Sequence, residues 1–197
     1  MKPRSSGYGF SLIELVVTLL VFAVLLAIAV PTFSDFMKRN AVAAQTNELL
    51  GALRLARSTA VTRGVYVSVC PSSNVASATP TCTSGGNVYD TGWLVYVNSG
   101  PKTAYAAGNE VLQVTQGMSN ASIQGNASLI TFDARGSSVL GGAQFWVCAK
   151  SSSDTVGQSG VRFAGRTVIL QSGGRAGSAA LATSSNASTA QGYCKSS

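Results

Sequence analysis

The sequence predicts an α+β protein in which one long N-terminal helix is followed by a mainly antiparallel β domain. Helical spacing of apolar residues continues from Phe10 to about Arg63. From Gly64 onwards the hydrophobic period changes to two, and glycines separate the short apolar runs. The expected organisation is a polar segment at 1–9, a helix at 10–63 with an apolar part at 10–30 and an amphipathic part at 31–63, and a β-rich globular domain at 64–197.

Composition excludes several kinds of catalytic site. The 197-residue chain has no histidine, which removes the commonest general base and the commonest zinc ligand. It contains no G-x-S-x-G, P-loop or G-x-G-x-x-G motif. The acids after the helix show no spacing typical of a catalytic carboxylate pair; they are Asp90, Glu110, Asp133 and Asp154. We therefore expect a protein that is not an enzyme and that holds no metal ion or cofactor.

Net charge is +7, from 14 basic and 7 acidic residues. The positive charge is spread along the chain and forms no dense basic run of the kind typical of a nucleic-acid-binding arm. The excess still favours contact with phosphates or anionic surfaces over acidic partners.

The apolar run from Phe10 to Val30 decides the expected compartment. Its 21 residues are about enough to cross a bilayer as a helix. Lys2 and Arg4 precede it, so the amino end is expected to begin in the cytoplasm, with the rest of the chain on the other side of the membrane. Glu14 lies within this run, where a charge costs roughly 2–3 kcal/mol or more, so a partner for its carboxylate is expected.

Three interpretations of this N-terminus compete. The first is a secretory signal peptide cleaved after the small residues Ala27-Ile28-Ala29. The uninterrupted helical pattern beyond that point counts against it. The second is a plain signal anchor, in which Glu14 lies near the interface and has no role.

The third interpretation rests on the residues around Gly9. The segment from Gly9 to Leu15, GFSLIEL, resembles the prepilin cleavage motif of type IV pilins and type II secretion pseudopilins. The resemblance implies that residues 1–9 are a prepilin leader peptide, that a prepilin peptidase cuts after Gly9 and that the new amino group of Phe10 is methylated. It also implies that Glu14 pairs with the amino terminus of a neighbouring subunit. Such a pair offsets the cost of burying either charge alone, which favours this interpretation.

Pro31 follows the apolar run and removes one helical hydrogen bond. Either the helix ends at Val30 or it bends at Pro31 and continues, and the immediate return of the helical pattern favours a bend. Further along, one face carries apolar residues at spacings of i, i+4, i+7 and i+11, namely Leu49, Leu53, Ala56 and Ala60. This face is expected to pack on the domain that follows.

The first predicted strand lies just after the helix, where Val65, Val67 and Val69 alternate with Tyr66, Ser68 and Cys70 as in a half-buried strand. Further strands are expected at Trp93–Asn98, Glu110–Thr115, Ser128–Asp133, Gln144–Ala149 and Val161–Gln171. The segments 71–91 and 176–197 are expected to be a loop and a tail.

Four cysteines, none in a C-x-x-C pair, are expected to form disulfides outside the cytoplasm. Three connectivities are possible, and four reduced thiols are the alternative. We favour Cys70–Cys82, which closes the loop after the first strand, together with Cys148–Cys194. The second bridge attaches a tail whose composition buries too little surface to order itself.

Three further segments resemble the GspH/FimT family of minor pilins and pseudopilins: Ala52–Arg63 (ALRLARSTAVTR), Gly92–Asn98 (GWLVYVN) and Thr131–Gly136 (TFDARG). The resemblance implies a pilin-like fold and assembly with other major and minor pilins. The chain is expected in the bacterial inner membrane with its C-terminal domain in the periplasm, and then in a filament at the cell surface. The favoured role is a minor type IV pilin at or near the tip that helps prime assembly. The alternatives are a type II secretion pseudopilin and capture of extracellular DNA.

The DNA alternative depends on basic residues near the C-terminus. Some FimT-like minor pilins bind DNA through a Gly-Arg-x-Arg motif. This chain has Gly174-Arg175-Ala176-Gly177, in which the second arginine is replaced by Gly177. The candidate DNA-binding residues are Lys150, Arg162, Arg166 and Arg175.

So few phosphate contacts predict weak, salt-sensitive binding. Arg162 and Arg166 have the same parity and are expected on one strand face. The alternative is a set of solvated arginines, since no aromatic stacking platform accompanies them. The aromatic residues nearby are expected in the core: Trp93, Phe145, Trp146 and Phe163.

Overall fold

The structure, a computed structural model, describes residues 10–83, 85–151, 154, 157–160, 163–181 and 192–194, with the backbone alone at 30 and 31. It contains two compact units, Met1–Phe36 and Met37–Ser197. Gly9 and Arg162, two residues of the predicted sites, lie outside the described residues.

One helix, α1, runs over Leu12–Arg63, 52 residues. It begins two residues after the predicted start at Phe10. Its backbone is helical through position 31, so the helix does not end at Val30, and the bend at Pro31 stays a prediction. Glu14 lies in the first turn and Arg63 in the last. Both charges suit the helix dipole at their respective ends.

The first unit consists of the apolar part of α1. Its large apolar side chains from Leu12 to Ile28 are between 44% and 82% exposed. By length and composition this part of the helix could cross a membrane, and none of the apolar window is buried inside the structure. The N-terminal segment therefore has an apolar surface that the described part of the chain does not cover.

The second unit adds two four-stranded antiparallel sheets. The strands are β1 (Tyr66–Pro71), β2 (Gly92–Asn98), β3 (Val111–Gln116), β4 (Ala121–Gly125), β5 (Ile130–Phe132), β6 (Ala143–Ala149), β7 (Arg166–Leu170) and β8 (Ala176–Ala180). The first sheet has the order β3-β2-β1-β5 and the second β4-β6-β7-β8.

The core lies between α1 and the two sheets. The predicted helix face is confirmed, since its four apolar residues are at most 1% exposed: Leu49, Leu53, Ala56 and Ala60. They share one cluster with Val67 and Trp93 of the first sheet and Phe145 of the second. Burying each leucine contributes about 1.5–3 kcal/mol, so this face fixes the helix on the domain.

The prediction that the first strand is half-buried was wrong, because β1 is buried on both faces. Val67 and Val69 face the main core. On the opposite face, Cys70 packs with Leu94 and Tyr96 in a second apolar cluster. The segment between β1 and β2 contributes Val75 to this cluster, so a region predicted as loop covers the outer face of the strand.

Several strand boundaries differ from the predicted ones. The tail prediction for 176–197 was wrong at Ala176–Ala180, which form β8, and β4 at Ala121–Gly125 was not predicted. In the segment predicted as Val161–Gln171, β7 occupies only Arg166–Leu170, and in Ser128–Asp133, β5 occupies only Ile130–Phe132. Small and polar residues in these segments give a weak apolar alternation, so their pairing depends on neighbouring strands.

Both favoured disulfides are confirmed, Cys70–Cys82 and Cys148–Cys194. The second bridge closes 46 residues of sequence and holds the helical turn at 192–194 against β6. Tyr193 of this turn stacks on Trp146 with ring centroids 5.2 Å apart and planes at 8°. The two neighbouring contacts therefore order the end of the tail.

Four aromatic residues were predicted to lie in the core, and the prediction is correct for two of them. Trp93 and Phe145 are fully buried. Trp146 is partly buried and covered by Tyr193. Phe163 is also partly buried, with the Lys38 ammonium 4.5 Å from its ring centroid.

Candidate assembly surface and basic residues

The first candidate site is the N-terminal end of α1. Phe10 and Ser11 precede the helix, and the Leu15 amide donates to the Ser11 carbonyl oxygen at 3.1 Å, which closes the first turn. Glu14 is exposed in that turn, among apolar neighbours. Phe10 is 80% exposed. The carboxylate therefore lies one turn from the residue whose amino group the motif predicts to be freed by cleavage.

The surrounding helix surface is apolar on every side. A helix of this kind is stable only when it is buried in a large protein or a membrane. Its exposed area is far more continuous than the scattered apolar residues of an ordinary soluble surface. The arrangement therefore fits a membrane or the apolar surface of another protein.

Three of the predicted basic residues are described by the structure, and it does not join them in one group. Lys150 pairs with Asp90, with Nζ 3.2 Å from Oδ2. The Asp90 carboxylate also accepts hydrogen bonds from the Ser122 hydroxyl at 2.9 Å and the Ile123 amide at 2.7 Å. Lys150 thus completes a network that holds β4 in place, which accounts for its position without a ligand.

Arg166 and Arg175 lie at opposite ends of the β7–β8 hairpin. Arg166 begins β7 and faces Ala180 in the strand register, whereas Arg175 directly precedes β8. At about 3.3 Å per residue, the length of β7 separates these two ends by roughly 13 Å. The two arginines therefore lie apart along the hairpin. The strand face predicted to be shared with Arg166 depends on Arg162, which lies outside the described residues.

The turn that carries Arg175 lies next to the turn that carries Arg135. Gly174 packs on the Gly136 carbonyl oxygen, and nearby the Ser138 amide donates to the Ser172 carbonyl oxygen at 2.9 Å. Arg135 projects from the second turn with an 87% exposed side chain. The family resemblance indicated each turn separately. Their proximity comes from a contact between residues that are far apart in the chain, and no local sequence pattern indicates such a contact.

Asp133 organises the turn that carries Arg135. Its Oδ1 accepts hydrogen bonds from the Ser137 and Arg135 amides, both at 2.9 Å. Its Oδ2 pairs with the Arg135 guanidinium at 3.1 Å. The hydrogen bond from the Ser137 amide, together with those from Arg135, lowers the pKa of the Asp133 carboxyl. The ionised form therefore stabilises the turn.

No group of three or more His, Cys, Asp or Glu side chains in the described part of the chain is arranged to hold a metal ion.

Two family models match the chain. The model described as type II transport protein GspH matches residues 45–174, well over half of the sequence. The model of the prokaryotic N-terminal methylation motif matches residues 4–30, which include Gly9, Phe10 and Glu14. No curated protein matches at a significant level.

Two solved structures are similar to this one, both of the type IV minor pilin FimU from Pseudomonas aeruginosa strain PAO1. The crystal form in space group P21 is 20% identical, covers 72% of this chain and 90% of that chain, and has a TM-score of 0.51. The form in space group P65 is 19% identical, covers 72% and 93%, and has a TM-score of 0.48. At this identity the first likeness shows a shared fold. Together with the two family models, it identifies the chain as a type IV pilin-like protein of the GspH family.

Proposed function

We propose that the chain is a minor subunit of a type IV pilus, incorporated at or near the tip, where it helps to prime assembly. The observation that carries the proposal is the apolar helix surface from Leu12 to Ile28, which the described residues leave uncovered. Such a surface requires the inner membrane before assembly and the helices of other pilins afterwards. The minor role rests on the resemblance of three segments to the GspH/FimT family.

In this proposal Glu14 supplies the negative charge that pairs neighbouring subunits during assembly. Prepilin peptidase would cut after Gly9, and the methylated amino group of Phe10 would carry the new positive charge. In a filament, the Glu14 carboxylate of one subunit would form an ion pair with the Phe10 ammonium of its neighbour. Each charge alone costs several kcal/mol to bury, so the pair favours correctly registered neighbours over unregistered ones.

The disulfides support a location outside the cytoplasm. Cys70–Cys82 and Cys148–Cys194 account for all four cysteines of the chain. Structural disulfides persist in oxidising compartments such as the periplasm. The proposed location is therefore the inner membrane, with the β domain in the periplasm, followed by the filament.

The test is a count of surface pili, by electron microscopy, on a strain that lacks this protein and on the same strain carrying the wild-type gene. Secretion of exoproteins is measured in both. Loss of pili with normal secretion, restored by the gene, is the expected result. Normal piliation contradicts the priming role.

Two other functions have a specific observation in their favour. The matching family model is described as a type II transport protein, which supports a secretion pseudopilin. Loss of secretion with normal pili would establish that function. For DNA capture, the supporting observation is the pair of adjacent turns that carry exposed Arg135 and Arg175.

A further inference from the structure

Three of the four sheet edges carry a feature that limits pairing with another chain. The edge of β4 is covered by the segment that precedes β2, since the Tyr89 amide donates to the Ile123 carbonyl oxygen at 2.8 Å. The edge of β5 is covered where the Val139 amide donates to the Thr131 carbonyl oxygen at 2.9 Å. The third edge is β3, where the pairing with β2 shifts its register at Val95/Tyr96. Irregularities of this kind twist an edge strand away from a new partner.

In the part of the chain that the structure describes, the fourth edge, β8, carries no such feature. Its sequence is Ala-Gly-Ser-Ala-Ala, without a charge, a proline or any side chain larger than serine. Four of its five residues are exposed and Ala176 is partly exposed. Within the ranges that the structure describes, no backbone group pairs with the side of β8 that faces away from β7. Natural proteins rarely leave an edge of this kind without a partner.

The hydrogen bonds next to β8 show which of its groups point outward. The Gln171 amide donates to the Arg175 carbonyl oxygen at 2.9 Å, and the Leu181 amide donates to the Gly165 carbonyl oxygen at 2.8 Å. Bonded positions alternate along an antiparallel strand, so the odd-numbered residues of β8 bond to β7. The even-numbered residues therefore direct their N–H and C=O groups outward: Ala176, Ser178 and Ala180.

A groove of about 300 Å³ runs beside this strand. Ile169 and Arg175 line it, and Ile169 is 39% exposed because Gly177, its partner in the register, has no side chain to cover it. An added strand could place one apolar side chain over Gly177 and bury Ile169.

A second groove of about 470 Å³ lies at the other end of β8, where Arg39 and Arg166 line it together with Ala180. No acidic residue is among the described residues that line either groove. A strand that joins β8 would therefore meet arginines at both ends.

We propose that β8 receives an extended segment of a neighbouring pilin subunit as a fifth strand of the second sheet. The inference rests on the proposed function, which supplies the neighbouring subunit. The segment bonds through its main chain to Ala176, Ser178 and Ala180, as in other cases of strand addition to a free edge. It carries an apolar residue at its centre, over Gly177 and next to Ile169, and carboxylates at its ends, near Arg175 and Arg166.

The test compares Ser178→Pro with Ser178→Ala in the full-length protein, expressed in place of the wild type. Proline removes the outward N–H and is tolerated on an edge strand, whereas alanine removes the hydroxyl and keeps the N–H. The processed protein is quantified in membranes and in sheared filaments, and its thermal unfolding is measured in detergent. We expect Ser178→Pro to lower the amount in filaments about tenfold, with unchanged membrane level and unfolding temperature.

Equal incorporation of both variants would overturn the strand-addition proposal and leave the proposed function intact. Absence of the wild-type protein from filaments would overturn the proposed function, and this inference with it. If Ser178→Pro fails to fold, Ala180→Pro repeats the comparison at the end of the strand against Ala180→Ser.

A second copy of this chain is the other occupant to test. Two differently tagged copies are co-expressed, and isolation of one is tested for recovery of the other. If the two copies are isolated together and Ser178→Pro abolishes their association, the strand beside β8 comes from a second copy of this chain, and the proposal is overturned. Recovery of one tag alone, with loss of Ser178→Pro from filaments, supports it.

Discussion

The guanidinium Nε of Arg57 on α1 donates a hydrogen bond to the carbonyl oxygen of Gly136 at 3.0 Å. Gly174 packs on the same carbonyl group from the turn before β8. Three segments that are far apart in sequence, one in the helix, one after β5 and one after β7, therefore meet at a single oxygen atom. This contact fixes the two turns that present Arg135 and Arg175.

Replacing Arg57 tests the strength of this contact. Arg57→Ala leaves the Gly136 carbonyl without its charged donor and is expected to lower the free energy of unfolding by about 1–3 kcal/mol. Arg63→Ala is the matched control, because Arg63 pairs with Glu110 at the surface, where such pairs contribute about 0–1 kcal/mol. Denaturant unfolding of the full chain in detergent measures both. Equal losses would show that the Arg57 contact stabilises the fold no more than a surface ion pair does.

Gly174 is expected to contribute to the stability of the fold. Its φ of +77° is rare for other residues, and an added Cβ would collide with the Gly136 carbonyl oxygen. Gly174→Ala should therefore cost about 1–3 kcal/mol of stability. Gly177→Ala is the control, since nothing lies within 4 Å of the Cβ it would add. A shift in unfolding temperature for Gly177→Ala as large as that for Gly174→Ala would refute this account of the turn.

The lowered pKa of Asp133 predicts a loss of stability in acid. Its pKa is lowered in the folded protein, chiefly by the hydrogen bond from the Ser137 amide. A carboxyl with a lowered folded pKa contributes stability above its unfolded pKa, and this contribution disappears as the pH falls through the folded pKa. Asp133→Asn should therefore be less stable than wild type at neutral pH and should lose less stability on acidification. Unfolding temperatures measured from neutral to strongly acidic pH test this, with Glu110→Gln as a surface control; parallel curves for Asp133→Asn and wild type would contradict it.

The DNA-capture alternative predicts that binding depends on one end of the β7–β8 hairpin. Arg175→Ala should weaken binding of duplex DNA to the full chain in detergent and reduce the slope of log affinity against log salt by about 1. Arg166→Ala, at the other end of the hairpin, should leave affinity unchanged. Affinity at low salt that is unaffected by Arg175→Ala would rule out the Arg135–Arg175 turns as the DNA contact.

The sequence predicted the elements that strong local patterns define. The helix face from Leu49 to Ala60 follows from its apolar spacing, and β2 and β6 follow from their dense aromatic and branched residues. The disulfides Cys70–Cys82 and Cys148–Cys194 follow from the need to close a loop and to hold a low-complexity tail.

The remaining features depend on contacts between distant parts of the chain. β8 consists of alanine, glycine and serine, whose propensity favours a tail, and it becomes a strand because β7 offers a complete register. Lys150 was singled out for its charge, yet its partner is Asp90, 60 residues away in sequence. The pairing of Arg57 with Gly136 spans 79 residues. Local patterns carry no information about such separations.

The most direct test of the assembly account is incorporation of Glu14→Ala into filaments. The variant, and Glu48→Ala as an acidic control on the same helix, each replace the wild-type protein in the cell. Mass spectrometry measures cleavage after Gly9 and methylation of Phe10, and immunoblotting compares the amounts in membranes and in sheared filaments. The account predicts that Glu14→Ala is processed and reaches the membrane at the normal level but is lost from filaments, whereas Glu48→Ala is incorporated normally. Normal incorporation of Glu14→Ala would contradict the pairing of this carboxylate with a neighbouring amino terminus.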